Sequence, residues 1–151
     1  MTRILLVCMA NICRSPMACS VGRQMARNAG RLGHFEFDSA GTQAQIGKRM
    51  DVRARTALLS RGYEPGKTRS RPVREQDFQR FDLILAMDAL NLNELQRQCP
   101  PLYHHKLQLL MSFAPALGVT EVPDPYHGDQ AGFLRVLDLC EAAMLGLLEN
   151  L

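Results

Sequence analysis

A chain of 151 residues that is 46% hydrophobic and 22% charged has the composition of one ordinary globular domain, with enough apolar residues for a core that needs no disulfide or metal. Its formal charge of +3 is too mild to imply nucleic-acid binding, although it suits a surface that draws anionic substrates. The apolar run from Ile4 to Ala10 falls far short of the ~20 residues a membrane-spanning helix needs, and Asn11 and Arg14 follow too soon for a secretory signal. The expectation is one domain over residues 1–151, cytoplasmic and without a membrane segment. Five cysteines, Cys8, Cys13, Cys19, Cys99 and Cys140, are an odd number with no CxxC pair, which argues against a disulfide framework and a zinc site. His104 and His105 are adjacent rather than at the i, i+4 spacing of helical metal pairs, so no metal is expected.

In chain order, Arg3 to Val7 is a short apolar run of the kind that forms a strand buried on both faces. Ser15 to Leu32 predicts a helix, with Ser15 as N-cap, Pro16 at the first helical position, and Gly30 and Gly33 as stops. His34 to Ser39 alternates and predicts a strand nearer an edge. Asp51 to Ser60 predicts a helix with an acidic start, Phe81 to Ala86 a second central strand, and Asp88 to Gln98 another helix. Lys106 to Leu110 is a weaker strand candidate. Asp129 to Leu151 carries Phe133, Val136, Leu137, Cys140, Met144 and Leu147 at helical spacing. Alternating strands and helices favour an α/β fold, a three-layer sandwich with a four-stranded parallel sheet flanked by helices on both faces. In such folds ligands bind beyond the carboxyl ends of the strands.

The first predicted strand ends at Cys8 and the first helix begins near Ser15, so Met9, Ala10, Asn11, Ile12, Cys13 and Arg14 form a short turn between them. Backbone N–H groups there, the positive end of the helix dipole and an arginine able to grip two oxygens at once make an anion site against the Cys8 sulfur. Such surroundings lower a cysteine pKa from its free value of about 8.5 and favour the thiolate, a nucleophile for in-line displacement at phosphorus. The alternative is a buried small apolar Cys8 with Arg14 on the surface. The Cys-x5-Arg-Ser spacing from Cys8 to Ser15, at a strand-to-helix junction, favours the anion site.

The string Val7-Cys8-Met9-Ala10-Asn11-Ile12-Cys13-Arg14-Ser15-Pro16 resembles the loop Cys-x-Gly-Asn-x-Cys-Arg-Ser-Pro of the low-molecular-weight protein tyrosine phosphatases, in their bacterial form. The resemblance continues through Ser39-Ala40-Gly41-Thr42, Asp51 to Ala54, Phe81 to Asp88 with Asn91, and Pro123-Asp124-Pro125-Tyr126, covering nearly the whole chain. It implies hydrolysis of phosphotyrosine in proteins and of aryl phosphates through a cysteinyl phosphate, without cofactor. Cys8 matches the nucleophile, Arg14 the residue that binds and stabilises the phosphoryl oxygens, and Asp124 the general acid and base. Asn11 and Ser39 match the polar pair that shapes the loop, Ser15 the hydroxyl bonded to the thiolate, and Tyr126 a pocket wall. The prolines flanking Asp124 restrict its backbone, which by itself suits a turn aspartate first and a fixed carboxylate second; the resemblance, with Tyr126 two residues later, favours the carboxylate. Cys13 suggests a reversible disulfide with an oxidised Cys8.

Three departures stand out. Ala10 replaces the family's usual glycine and would be strained if its φ were positive. Gln43 to Met50 lacks the aromatic pocket wall of many members, leaving Gln45 or Ile46 as weaker substitutes, and His127 replaces a second tyrosine. The basic stretch Lys67, Arg69, Arg71 and Arg74 reads first as a solvated loop face and second as an attractor of acidic peptide flanks. The implied partner is a phosphotyrosine protein, a bacterial tyrosine autokinase by analogy. Two rivals remain: an arsenate reductase of the same fold, which needs two closely spaced downstream cysteines where this chain has only the distant Cys99 and Cys140, and a noncatalytic phosphopeptide binder, which would need neither Cys8 nor Asp124.

Overall fold

In the computed structural model, which describes residues 1–151, the apolar run at the amino terminus becomes β1 (Thr2–Cys8). Its side chains alternate between two buried layers, Ile4, Leu6 and Cys8 on one side and Leu5 and Val7 on the other. This two-sided burial is why the run reads as continuous rather than alternating hydrophobicity. The other strands are β2 (Phe35–Gly41), β3 (Leu83–Ala86) and β4 (Leu107–Leu109). They form one sheet in the order β2-β1-β3-β4, with every pairing parallel. The sandwich architecture and the central and edge placements read from the sequence are those observed.

Helices cover both faces. On one side lie α1 (Arg14–Asn28), α2 (Val52–Ser60) and α5 (Gln130–Glu149), whose Met17, Val21, Leu58, Phe133 and Met144 enter the larger apolar layer. On the other, α3 (Glu75–Arg80) and α4 (Ala89–Gln98) contribute Phe78 and Leu95 to the smaller one. The expected acidic starts are N-caps: Asp51, Asp88 and Asp129 accept from the backbone N–H of Arg53, Asn91 and Gly132.

Two helix boundaries differ from expectation. Cys13, not Ser15, is the N-cap of α1, and it makes no side-chain cap. Pro16 therefore stands two residues inside the helix, still within the first turn, where a missing N–H loses no helical bond. The helix also stops at Asn28 rather than Leu32, because Gly30 takes φ 70° and the Arg31 N–H closes back on the Ala26 carbonyl. The helix α3 was not anticipated. It is too short to show periodicity, and its signal is the Asp77 carboxylate accepting from the Arg74 N–H.

The closing helix packs tightly at one point. A Cβ on Gly146 would lie 1.8 Å from the carbonyl oxygen of Phe113, a backbone atom that cannot step aside cheaply. Gly146→Ala should lower stability by about 1–3 kcal/mol or more, read from the urea midpoint at constant slope. An unchanged midpoint would contradict this packing.

Candidate active site

β1 lies between β2 and β3, so the chain leaves it in one direction first and the other direction later. A crevice opens at the carboxyl ends of the strands where this order reverses. Cys8, the last residue of β1, sits there, and residues 9–13 carry the chain into α1. Asn11 is the only non-glycine residue with positive φ, at 59°. Ala10 is thus free of the strain considered from the sequence, because the left-handed turn falls one residue later.

Buried hydrogen bonds hold that turn. Asn11 Nδ2 donates to Ser15 Oγ at 2.8 Å and to Ser39 Oγ at 2.9 Å, while its Oδ1 accepts from the Arg71 N–H at 3.0 Å. The backbone carbonyls of Cys8 and Met9 accept from Thr42 and Gln43. Gly41 permits this approach, since a Cβ there would meet the Met9 carbonyl oxygen at 2.5 Å. The Cys8 sulfur lies 3.0 Å from Ser15 Oγ and 3.3 Å from the Asn11 nitrogen, whose N–H it accepts. No protein acceptor takes the N–H of Met9, Ala10, Ile12 or Cys13. With the uncapped start of α1, these donors make an anion cradle.

Arg14 is 3% exposed, with one of its two terminal nitrogens engaged by the protein. Its Nη1 donates to Asp88 Oδ2 at 2.6 Å and to the Val122 carbonyl at 3.0 Å, and its Nη2 lies 4.0 Å from Asp124 Oδ2. Asp88 also uses Oδ1 to cap α4 through the Asn91 N–H, so one carboxylate both starts a helix and aims the guanidinium. Val122 is pinned in turn by its N–H to the Met87 carbonyl just beyond β3, which fixes the segment leading into Asp124. The Asp124 side chain is 40% exposed, against 4% for that of Arg14, which places the carboxylate at the mouth and the guanidinium in the wall.

These residues line a cavity of about 250 Å³. Cys8, Met9, Ala10, Ile12, Cys13 and Arg14 form its loop side, and Lys48, Asp124, Tyr126 and His127 complete it. Of the sequence-derived site residues, Asn11, Ser15 and Ser39 do not reach the cavity; they lie buried beneath the loop. Gln45 and Ile46 do not serve as the missing wall, for neither lines the cavity and Ile46 is 84% exposed. Lys48 takes that side instead. Tyr126 meets the His127 ring edge-on with centroids 5.1 Å apart, and Arg53 lies 5.4 Å from the Tyr126 centroid while pairing with Asp51. All five cysteines are free. Burial, then the negative charges of Asp51, Cys8 and Asp124, pushes the Cys13 thiol up to about 12, so it stays protonated at neutral pH.

A family model described as low molecular weight phosphotyrosine protein phosphatase matches residues 3–151. The chain belongs to this family. It is a protein tyrosine phosphatase of the low molecular weight class. A low molecular weight protein-tyrosine-phosphatase of Streptomyces coelicolor is 42% identical, over 97% of this chain and 91% of that protein. The crystal structure of a protein tyrosine phosphatase from Entamoeba histolytica, with Hepes in its active site, is similar at a TM-score of 0.95 and 40% identity, covering 99% of this chain and 96% of that one. The fold also accommodates the YwlE arginine phosphatase, in a mutant with a phosphorylated active site serine. That chain is 25% identical with a TM-score of 0.89, covering 99% of this chain and 95% of its own.

Sequence reasoning missed Asp88 as a partner of Arg14, and Lys48 and Arg53 beside the pocket. Arg14 and Asp88 are 74 residues apart, so no local spacing could pair them, and the capping signal of Asp88 concealed its second oxygen. Asp88→Asn preserves a cap acceptor and removes the charge that orients Arg14. It should lower the unfolding midpoint, because a buried guanidinium loses its counter-charge, and lower kcat/KM for an aryl phosphate, measured where the variant is folded, by about 10- to 100-fold, the worth of a charge-assisted hydrogen bond. Unaltered kcat/KM would show that Arg14 needs no such anchor.

Proposed function

We propose that this phosphatase hydrolyses phosphotyrosine through a phosphocysteine on Cys8, with Arg14 stabilising the transferring group and Asp124 moving the proton. The observation that carries this reading is the arrangement in one cavity of Cys8 at the end of β1, Arg14 in the wall and Asp124 at the mouth. The Cys8 thiolate attacks phosphorus in line, forming the S–P bond as the P–O bond to the phenol breaks. Asp124, protonated, gives its proton to the departing phenolate oxygen. As a carboxylate it then takes a proton from a water that attacks the phosphocysteine. That breaks the S–P bond, releases inorganic phosphate and restores the thiolate. The free N–H groups of the loop and the Arg14 guanidinium bind the equatorial oxygens, where charge spreads in the transition state.

Met9, Ala10, Ile12, Cys13 and Tyr126 are assigned to substrate contact, and Asn11, Ser15 and Ser39 to holding the loop. The apolar Ile12 and the Tyr126 ring suit an aryl leaving group. The phosphorylated active site serine of the YwlE mutant supports a covalent intermediate on the active-site nucleophile in this fold. Cys99 and Cys140 belong to opposite apolar layers, which weighs against a thiol relay for arsenate reduction. Five free cysteines suit the reducing cytoplasm, and a phosphotyrosine protein such as a bacterial tyrosine autokinase is the partner that the family resemblance suggests.

The test compares hydrolysis of a phosphotyrosine peptide and a chromogenic aryl phosphate by wild type, Cys8→Ser and Asp124→Ala, with chelator and reductant present. Cys8→Ser should abolish turnover while still binding inorganic phosphate, and Asp124→Ala should slow it by roughly 10²- to 10⁴-fold with the fold retained. Full turnover by Cys8→Ser would refute the mechanism, and an inactive wild type would favour a phosphopeptide-binding role.

A further inference from the structure

Beside the catalytic cavity lies a second concavity of about 510 Å³, lined by Arg49, Arg55, Lys67 and Arg69 with Met50 and Val52. No carboxylate lines it, and none of the four cations belongs to any ion pair of the molecule. The contrast with the rest of the basic stretch is sharp. Arg71 is paired with Asp77 and Asp38, and neither Arg71 nor Arg74 lines the groove. Arg49 and Arg55, remote from that stretch in sequence, take their places. With a formal charge of +3 for the entire chain, four unpaired cations in one groove more than account for the net charge.

The groove and the catalytic cavity share a wall. Lys48 faces the cavity and Arg49 the groove, so the divide is one chain thick. That divide is held from both sides: Ser70 donates its N–H to the Lys48 carbonyl and accepts the Lys48 N–H on its hydroxyl, while the Asp51 N–H donates to the Ile12 carbonyl of the phosphate loop. A groove fixed to the catalytic loop in this way keeps a constant offset from Cys8. Its four cations, with the half-buried Met50 and the exposed Val52 between them, suit a chain segment with methylene-bearing acidic side chains.

We propose that this groove binds an acidic segment flanking the phosphotyrosine of the substrate protein, and so selects substrates by charge. The shared wall at Lys48 and Arg49 sets the groove next to the cavity, so residues flanking a phosphotyrosine seated over Cys8 fall beside its cations. The contribution falls on capture rather than on chemistry. It acts on kcat/KM and is screened by salt, because exposed charges interact over a Debye length of about 8 Å at physiological ionic strength. This rests on the phosphotyrosine reading above, and the experiment separates the two.

Three substrates are compared on wild type and on Arg49→Gln/Arg55→Gln/Lys67→Gln: a phosphotyrosine peptide with an acidic flank, one with a neutral flank, and a small aryl phosphate. Wild type should favour the acidic peptide by about tenfold in kcat/KM, and both the triple variant and high salt should erase that preference. The neutral peptide and aryl phosphate should change less than about twofold. Should the triple variant fold poorly by circular dichroism, the single variants should each lose about twofold on the acidic peptide alone. In a second arm, fluorescence anisotropy with a labelled acidic peptide lacking phosphate should show binding to wild type that the variants weaken. Equal loss on all substrates, no preference in wild type, or tighter binding to phosphatidylserine vesicles than to the acidic peptide would overturn the proposal. Failure of wild type to hydrolyse any phosphotyrosine substrate would instead break the catalytic reading and leave the anisotropy arm to decide the groove.

Discussion

A left-handed asparagine sets the geometry on which the rest of the site depends. To turn from the end of β1 into α1 within five residues, the chain must pass through positive φ once, and it does so at Asn11 rather than at a glycine. Such a conformation costs of order 1–3 kcal/mol and persists only when its surroundings impose it. Here the side chain is buried at 4% exposure and bonds to Ser15 on α1, Ser39 on β2 and the backbone of Arg71. One amide thereby ties three separate parts of the fold to the loop. The same hydroxyl of Ser15 lies against the Cys8 sulfur, so loop shape and the nucleophile's polar contacts are a single network.

Around this loop the charges are ordered by burial. Arg14 is fixed from behind by Asp88 and the Val122 carbonyl, leaving Nη2 turned toward Asp124. Fixing the cation in advance means that little reorganisation is needed when charge develops on a phosphoryl group, the condition under which electrostatic stabilisation is strongest. Asp124 stands further out, where a carboxyl can exchange protons with a leaving group and with water. The cationic groove continues this gradient outward across the single strand of chain at Lys48 and Arg49.

The sheet, its order of central and edge strands, and four of the five helices were legible in the sequence, because apolar runs and Asp caps are local signals. So was the loop from Cys8 to Ser15, whose residues are contiguous. What escaped was of two kinds. Ser15 and Pro16 carry two local preferences at once, and the network beneath the loop outweighed the capping preference, moving the helix start forward to Arg14. Asp88, Lys48 and Arg53 act across long sequence separations, where only the tertiary fold brings partners together. The split of the basic stretch is the same lesson in charge: Arg71 is consumed by Asp38 and Asp77, acids that sequence proximity alone does not match to it.

The most direct test of covalent transfer through Cys8 is an acid quench of Asp124→Ala during steady turnover of an aryl phosphate with a good leaving group, followed by mass spectrometry of the peptides. With the general base removed, hydrolysis of the intermediate becomes slow while its formation remains facile. The account requires phosphate on the peptide containing Cys8, absent in the Cys8→Ser, Asp124→Ala double variant. Steady turnover with no phosphate on Cys8, or phosphate on another residue, would contradict it.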